Sequence, residues 1–365
     1  MDALIERMKT ERKMDLKIES RDVSPFLGIQ FTRHGDMIEM KQDGLLEKIL
    51  KETGMQDCNP DSVPAVPTPL GTDLYGAPFA EEWNYRSIVG KLLYLSGNSR
   101  PDIAFAVHQA ARFSHDPKQS HAQAIKKICR YLQGTKDRGL VMNPTKDFKV
   151  DCYVDADFCG LWGSEDPEDP IVAKSRTGYI LMFANCPLMW VSKLQTKVSV
   201  GTMMVEYVAL SSAMRDMLPL KRLVQSVAEV VTGDKNVQVT CHSDVFEDNN
   251  GALTVATCPR ITPQSKFFAV KLHFFKEHVK TLEHPDRPVH IHKIATDKQL
   301  ADIMTKGLVE AKFQPLRDRL MGWDLLPSIS FAPGTQFKSR KNSRSEGVLR
   351  RSDTAHTTKS QRKHK

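Results

Sequence analysis

The spacing of apolar residues divides the chain into a helical first part and a mixed second part. Between residues 85 and 132, apolar positions recur at steps of three and four, which is the period of amphipathic helices. From about residue 147 the pattern becomes extended, with short strand-like runs separated by turn residues. The elements predicted in this second part are strands at 150–158, 178–183, 188–194, 237–246 and 289–294, and helices at 205–231, 249–256 and 297–306.

The segment before the helices is predicted to contain a hairpin and a short helix. Apolar and polar residues alternate over 26–40 around a Gly-containing turn, and 45–55 has a helical apolar face. The four prolines within 59–69 exclude a helix or a central strand, so this stretch is interpreted as a linker.

Two local signals refine the second part. Pro219 is expected to kink or split the helix that contains it. Thr296 and Gln299 fit a capping box at the start of the last helix. The succession of strands and helices predicts a mixed α/β domain.

The positive charge of the chain is concentrated at one end. The formal net charge is +8, and residues 338–365 alone carry ten Lys or Arg against two Asp or Glu. Residues 1–337 hold 42 residues of each sign and are neutral as a whole. The composition of the tail predicts disorder, because it has almost no large apolar residues. Net charge therefore gives no evidence that the folded part binds nucleic acid.

Composition and spacing exclude several other classes of protein. The sequence contains no apolar run long enough for a transmembrane helix, and its first residues lack the apolar core of a secretory signal. The seven cysteines are scattered without a Cys-x-x-Cys pair, which favours reduced thiols over a disulfide framework or zinc knuckle. We therefore expect an intracellular protein, cytoplasmic or nuclear, without a membrane partner.

Four acidic residues occupy informative positions in the predicted domain. Asp155 lies within its first strand, Glu206 begins its first helix, Asp248 ends its fourth strand, and Asp302 lies in its last helix. A carboxylate at a buried position needs a compensating charge, and Mg²⁺ prefers such oxygen ligands. Each acid also has a simpler interpretation, since Asp248 could only cap a helix and Asp302 could be exposed.

Three basic residues and two histidines are further candidates. Lys126, Lys127 and Arg130 share one face of a predicted helix, where they are either a solvated face or a weak nucleic-acid contact. His290 and His292 alternate on one strand face, but the sequence offers no nearby third ligand, so we interpret them as ordinary strand residues.

A series of motifs resembles the C-terminal part of Ty1/copia-type retrotransposon polyproteins, from the end of the reverse transcriptase through the ribonuclease H domain. The resemblance covers residues 26–324 and keeps the family order. The matching segments are residues 26–29, 85–90, 93–95, 100–104, 130–135, 153–157, 175–179, 190–195, 206–210, 247–252 and 301–306.

The resemblance implies a fold and a chemistry. The fold would be a ribonuclease H-like mixed five-stranded sheet with flanking helices, preceded by a small, mainly helical thumb and connection remnant. The catalytic residues, which would also hold two Mg²⁺ or Mn²⁺ ions, would be Asp155, Glu206, Asp248 and Asp302. The nearest competitors for a ligand role are Asp157 and Asp244. The substrate would be the RNA strand of an RNA·DNA hybrid, recognised by its 2′-hydroxyl. Other products of the same polyprotein are possible partners.

The resemblance also divides the chain into five regions. Residues 1–55 would be the end of the palm with a primer-grip-like hairpin, 56–146 the thumb-like and connection-like helices, and 147–310 the ribonuclease H-like domain. Residues 311–337 would be a C-terminal extension and 338–365 the basic tail. The chain would be a piece of the polyprotein or a truncated genomic copy.

The departures from the family pattern leave a second hypothesis open. The Tyr-x-Asp-Asp motif is missing, so no DNA polymerase activity is expected. Residues 266–269 are Lys-Phe-Phe-Ala where the family has Lys-His-Ile-Asp. The alternative function is therefore a decayed retroelement fragment that binds nucleic acid at most nonspecifically.

Overall fold

The structure is a computed structural model that describes residues 27–163, 168–234, 241–258 and 272–325. The predicted basic tail at 338–365 and the departure at 266–269 lie outside these residues. The predicted regions 1–55 and 311–337 are described only in part, and the boundaries of the five predicted regions stay predictions. None of the helices in the described ranges has both the length and the apolar character that crossing a bilayer requires.

The described residues of the first part of the chain, from residue 27 onward, form a small antiparallel sheet and four α-helices. The predicted hairpin is formed by β1 and β2, and β3, which lies much later in the chain, pairs with β2. The helices follow the predicted apolar period, and the side chain of Asn84 caps the second of them. The elements are β1 Gln30–His34, β2 Met37–Lys41, α1 Asp43–Glu52, α2 Tyr85–Asn98, α3 Ala104–Ala111, α4 Gln119–Gly134 and β3 Leu140–Met142.

The second part is a mixed α/β structure around a five-stranded sheet, as predicted. The strand order is β6-β5-β4-β7-β8, in which β4 is antiparallel to β5 and parallel to β7. The elements are β4 Lys149–Asp157, β5 Arg176–Phe183, β6 Cys186–Leu194, α5 Thr202–Thr232, β7 His242–Glu247, α6 Asn250–Thr257, β8 Val289–Lys293, α7 Asp302–Thr305 and α8 Glu310–Met321.

Alternation along β4 directs successive side chains to two different cores. Cys152 and Val154 pack with Tyr207 of α5 on one face of the sheet. Tyr153 faces the other way and shares a cluster with residues of the helical first part, among them Ile128. The Trp190 indole of β6 also donates a hydrogen bond to the Ser96 carbonyl, 2.8 Å away. The helical part and the sheet are therefore packed through a common core.

Two local details are settled by the structure. Of the two effects expected of Pro219, the split does not occur, because the helix runs unbroken over Thr202–Thr232. The predicted capping box is wrong, because a short 3-10 turn at Thr296–Lys298 and the separate helix α7 replace the long last helix. The polar groups of Thr296 and Gln299 bind strand ends instead, as described below.

Candidate metal centre

Two of the predicted acids lie where neighbouring parallel strands end. Asp155 is near the C-terminal end of β4, and Asp248 directly follows β7. The ladder between these strands ends with the Tyr153–Phe246 pair. Carboxyl ends of parallel strands that diverge leave a crevice in which ligands bind. The register therefore brings Asp155 and Asp248 to the same edge of the sheet.

Gln299 holds the two strands at the point where they separate. Its side-chain amide donates to the Val154 carbonyl at 2.8 Å and to the Phe246 carbonyl at 3.3 Å. Gln299 is fully buried, and these two hydrogen bonds give its amide nitrogen partners on both strands. The separation next to Asp155 and Asp248 is thus a stabilised feature of the fold.

Glu206 approaches the same edge from the first turns of α5. The residues on either side of it, Val205 and Tyr207, are fully buried and anchor this end of the helix against the sheet. Glu206 is 7% exposed, and its Oε2 atom has no hydrogen-bond partner among the described residues. Ligand oxygens of Asp155, Glu206 and Asp248 all lie within 4.8 Å of one another. Three of the four predicted acids therefore converge.

The pKa values show that the negative charge of this cluster is poorly compensated. Burial is the main reason that the pKa of Asp155 is raised to about 7; Lys306 opposes this rise and Asp302 adds to it. Burial, with the carboxylates of Glu247 and Asp155, raises the pKa of Glu206 to about 11. Desolvation and like charges both favour the protonated acid when no cation is present.

Glu247 is a fourth buried carboxylate that sequence reasoning missed. It is fully buried, and its Oε2 atom has no partner among the described residues. Burial, followed by the charges of Asp248 and Asp155, raises its pKa to about 8 against hydrogen bonds from the backbone. A signal was available, because Glu247 follows Ser243 and Val245 in the alternation of buried positions on β7.

Asp302 is next to the cluster but does not belong to it. It is fully buried, and its Oδ1 lies 2.8 Å from Lys306 Nζ, while its Oδ2 accepts from Lys312. Both carboxylate oxygens are therefore engaged by ammonium groups. The alternative interpretation of Asp302 as an exposed helix residue is wrong.

Gly178 allows α7 to approach the sheet beside Asp155. It is the register partner of Asp155 on β5, and a Cβ atom there would lie 2.6 Å from Thr305 Cγ2 and 2.8 Å from Met304 Cβ. Thr305 uses this closeness to donate a hydrogen bond to Asp155 Oδ2. Real Cβ atoms do not come so near to other side chains, so only glycine fits without a shift.

Thr296 positions the remaining acid of the cluster. Its hydroxyl donates to Asp248 Oδ2 at 2.9 Å, and Asp248 is half-buried. The simpler interpretation of Asp248 as a helix cap does not apply to its side chain, since the side chain of Asn249 caps α6 by accepting from the Ala252 amide.

The other predicted candidates lie apart from this cluster. Lys126 is paired with Glu81 at 2.8 Å, and Lys127 is paired with Asp61 at 2.6 Å. Arg130 is half-buried on the same helix. Pairing reduces the charge that the two lysines offer to a phosphate, and a role for the three residues in nucleic-acid binding stays a prediction.

The two competing aspartates are in different surroundings. Burial raises the pKa of Asp157, which is not a member of the cluster. Asp244 instead lies beside His290 and His292, so the interpretation that these histidines lack a nearby third ligand is wrong.

The donor set of the cluster fits a hard divalent cation. All of its ligand atoms are carboxylate oxygens, and the uncompensated Glu206 oxygen is one that a cation would satisfy. The fold and the cluster together define a mixed α/β domain with an acidic centre that can hold a divalent metal ion.

Comparison with known proteins finds similarity to transposon polyproteins. The chain is 30% identical over 295 residues to the retrovirus-related Pol polyprotein from transposon RE1 of Arabidopsis thaliana. The aligned region is 81% of this chain and 19% of that protein. It is 29% identical over 322 residues to the corresponding polyprotein from transposon TNT 1-94 of Nicotiana tabacum, covering 85% of this chain and 22% of the relative. The chain is therefore homologous to copia-type Pol polyproteins and spans about a fifth of their length.

Two further comparisons add little. A solved structure of the N-terminal ribonuclease H domain of Rv2228c from Mycobacterium tuberculosis, fused to maltose-binding protein, matches 44% of this chain and 91% of that chain. The sequence identity is 13% and the TM-score is 0.28, which is too low to support a conclusion about this chain. No protein-family model matches the sequence.

Proposed function

We propose that the second part of the chain is the ribonuclease H-like segment of a copia-type reverse transcriptase and hydrolyses the RNA strand of RNA·DNA hybrids. One observation carries the proposal: Asp155, Glu206 and Asp248 come from three separate elements, and their ligand oxygens converge within 4.8 Å. The homology to Pol polyproteins supports a nucleic acid as the substrate.

In this proposal the four predicted acids are the metal ligands and catalytic residues. Asp155, Glu206, Asp248 and Asp302 would together hold two Mg²⁺ or Mn²⁺ ions. When bound, two such ions activate water and stabilise the leaving oxygen of a phosphodiester. Asp302 would first have to release Lys306, which lies 2.8 Å away, and Lys312.

The surrounding residues keep the acids in position. Thr305 orients Asp155 and Thr296 orients Asp248, each through a hydroxyl that donates to an Oδ2 atom. These hydrogen bonds reduce the side-chain motion that ligand binding would otherwise have to restrict. Gln299 maintains the strand separation on which the cluster depends.

The substrate and partners follow from the same proposal. The RNA strand would be distinguished from DNA by its 2′-hydroxyl groups. The helical first part would correspond to thumb and connection, and Lys126, Lys127 and Arg130 would contribute at most salt-dependent phosphate contacts. Other products of the polyprotein would be partners.

A cleavage assay with matched variants tests the proposal. Purified full chain is incubated with a labelled RNA·DNA hybrid and Mg²⁺, and the RNA strand is expected to be cut. Glu206→Gln should lower the rate at least about 100-fold, since it removes a ligand of the reacting centre. The control is Glu229→Gln, which makes the same chemical change near the other end of α5. In the described residues, the Glu229 carboxylate accepts a hydrogen bond from Gln225, so this variant should leave the cleavage rate unchanged.

Two outcomes contradict the proposed activity. Absence of cleavage by the parent chain would favour the decayed-fragment hypothesis. Equal cleavage by the parent and Glu206→Gln would show that a contaminant or another site is responsible.

A further inference from the structure

A second group of potential metal ligands lies on β7 and the edge strand β8 of the same sheet. Asp244 on β7 and His290 on β8 are register partners on neighbouring parallel strands, and His292 follows on the same face two positions later. One ligand atom from each of the three residues lies within 4.8 Å of those of the other two. The group is separate from the acid cluster, because Asp244 pairs with Asp151, which is four residues before Asp155 on β4.

The two imidazoles are arranged as neutral ligands would be. Their ring centroids are 3.8 Å apart, and the planes are inclined by 50°. Two imidazolium ions would repel at this distance, so the packing favours at least one neutral ring, which is the form that binds metals.

The two carboxylate oxygens of Asp244 have different partners, a histidine and a lysine. Its Oδ1 lies 2.8 Å from His292 Nε2, and its Oδ2 lies 2.8 Å from Lys149 Nζ. A monodentate metal ligand would use Oδ1 and leave the Lys149 contact intact. Ligand atoms around a tetrahedral Zn²⁺ are about 3.4 Å apart, given bonds of about 2.1 Å. The 2.8 Å distance between Asp244 Oδ1 and His292 Nε2 would therefore have to increase only by about 0.6 Å to accommodate the ion.

The site also provides an open position and access from solvent. His290 is exposed, and Asp244 and His292 are half-buried. Phe246 lies 5.7 Å from the His292 ring and stacks on it, which fixes the orientation of one imidazole. Two imidazoles and one carboxylate are a ligand set typical of zinc, with a fourth position left for water.

We propose that Asp244, His290 and His292 bind one Zn²⁺ ion and thereby fasten edge strand β8 to β7. Zn²⁺ is preferred to Mg²⁺ because nitrogen ligands suit the softer ion. The proposal is independent of hybrid cleavage, since it uses none of the residues of the acid cluster.

Calorimetric titration of the metal-free full chain with Zn²⁺ tests the site. The acid cluster is a competing site, so the titrations use the Glu206→Gln background. There we expect the His290→Asn/His292→Asn double variant to bind one Zn²⁺ fewer, or to bind it at least about tenfold more weakly. Asparagine keeps a polar side chain at both positions, and the folded state of each variant is checked by its thermal transition. His284→Asn changes an exposed loop histidine and should bind as the background does.

Two results would overturn the proposal. One is an unchanged Zn²⁺ stoichiometry and affinity in the double variant. The other comes from X-ray absorption of the chain loaded with one equivalent of Zn²⁺, if the spectrum contains no imidazole coordination. Two imidazole nitrogens on zinc are the expected result, and their loss in the double variant would assign them to His290 and His292.

Discussion

The ammonium nitrogen of Lys306 lies 3.5 Å from Asp155 Oδ2, so a lysine partly neutralises the carboxylate at the centre of the acid cluster. The same ammonium is 2.8 Å from Asp302 Oδ1. Burial alone would lower the pKa of Lys306, but Asp155 and Asp302 outweigh it and raise the pKa. Lys306 therefore acts as an internal counter-ion of the cluster.

Replacing this counter-ion should increase the dependence of the protein on Mg²⁺. In Lys306→Gln, more negative charge is left without compensation, so added Mg²⁺ should raise the thermal transition by more than it does in the parent chain. The measurement compares transition temperatures in EDTA and in Mg²⁺. Lys91→Gln breaks a lysine–carboxylate pair with Glu52 away from the cluster and is the control. An equal Mg²⁺ effect in all three proteins would contradict the counter-ion role.

The raised pKa values predict that the metal-free protein loses stability as pH rises. Folded pKa values of about 7 for Asp155, about 8 for Glu247 and about 11 for Glu206 lie above those of unfolded carboxyl groups. The folded state therefore holds more protons between about pH 4 and pH 8, and the free energy of unfolding falls as pH increases through this range.

Urea unfolding in EDTA at pH 5 and pH 8 measures this effect. We expect the parent chain to be less stable at pH 8 by at least about 2 kcal/mol, because the raised pKa of Asp155 alone contributes that much over this range. Glu247→Gln removes one raised carboxyl group and should reduce the difference. A stability that rises from pH 5 to pH 8 in the metal-free parent would refute the prediction.

Gly178→Ala should displace α7 from the sheet. The added methyl group would meet Thr305 and Met304 within 2.8 Å, and overpacking of this kind costs about 1–3 kcal/mol. Because Thr305 orients Asp155, hybrid cleavage should decrease as well. Gly90→Ala is the matched control, since its Cβ would meet nothing within 4 Å on an exposed position of α2.

The control variant should keep its activity and gain stability, because alanine has the higher helix propensity. Chemical denaturation and the cleavage rate of both variants check the pair. Equal stability of Gly178→Ala and the parent chain would show that α7 is not held as closely as the structure indicates.

A buried ion pair in the helical part should be needed for stability. Arg100 Nη2 lies 2.8 Å from Asp102 Oδ2, their side chains are 3% and 0% exposed, and Tyr131 donates to the same carboxylate at 2.6 Å. Arg100→Met leaves Asp102 charged and buried, which should cost about 3–5 kcal/mol in unfolding free energy.

The double variant Arg100→Met/Asp102→Leu distinguishes lost pairing from lost packing. It should be more stable than Arg100→Met, because no unpaired charge is left behind. A double variant that is less stable than the single one would assign the effect to packing around Tyr131 instead.

Much of the fold and part of the site could be predicted before the structure was known. The change from helical to extended periodicity predicts β4, β5 and β8 closely, because that pattern depends on neighbours within a few residues. The motif order assigned Asp155, Glu206 and Asp248 to one site. The last helix was predicted wrongly, since Thr296 and Gln299 bond to distant strand ends instead of to their own helix.

The sequence by itself determined most of the elements, their order, and which acids stand at element ends, since these depend on local period and composition. The tertiary structure alone decided which side chains meet. The parallel register of β4 and β7 brings Asp155 to Asp248. Pairing of β7 with β8 supplies Asp244 to His290 and His292. Such contacts depend on strand register between residues far apart in the chain, which periodicity does not encode.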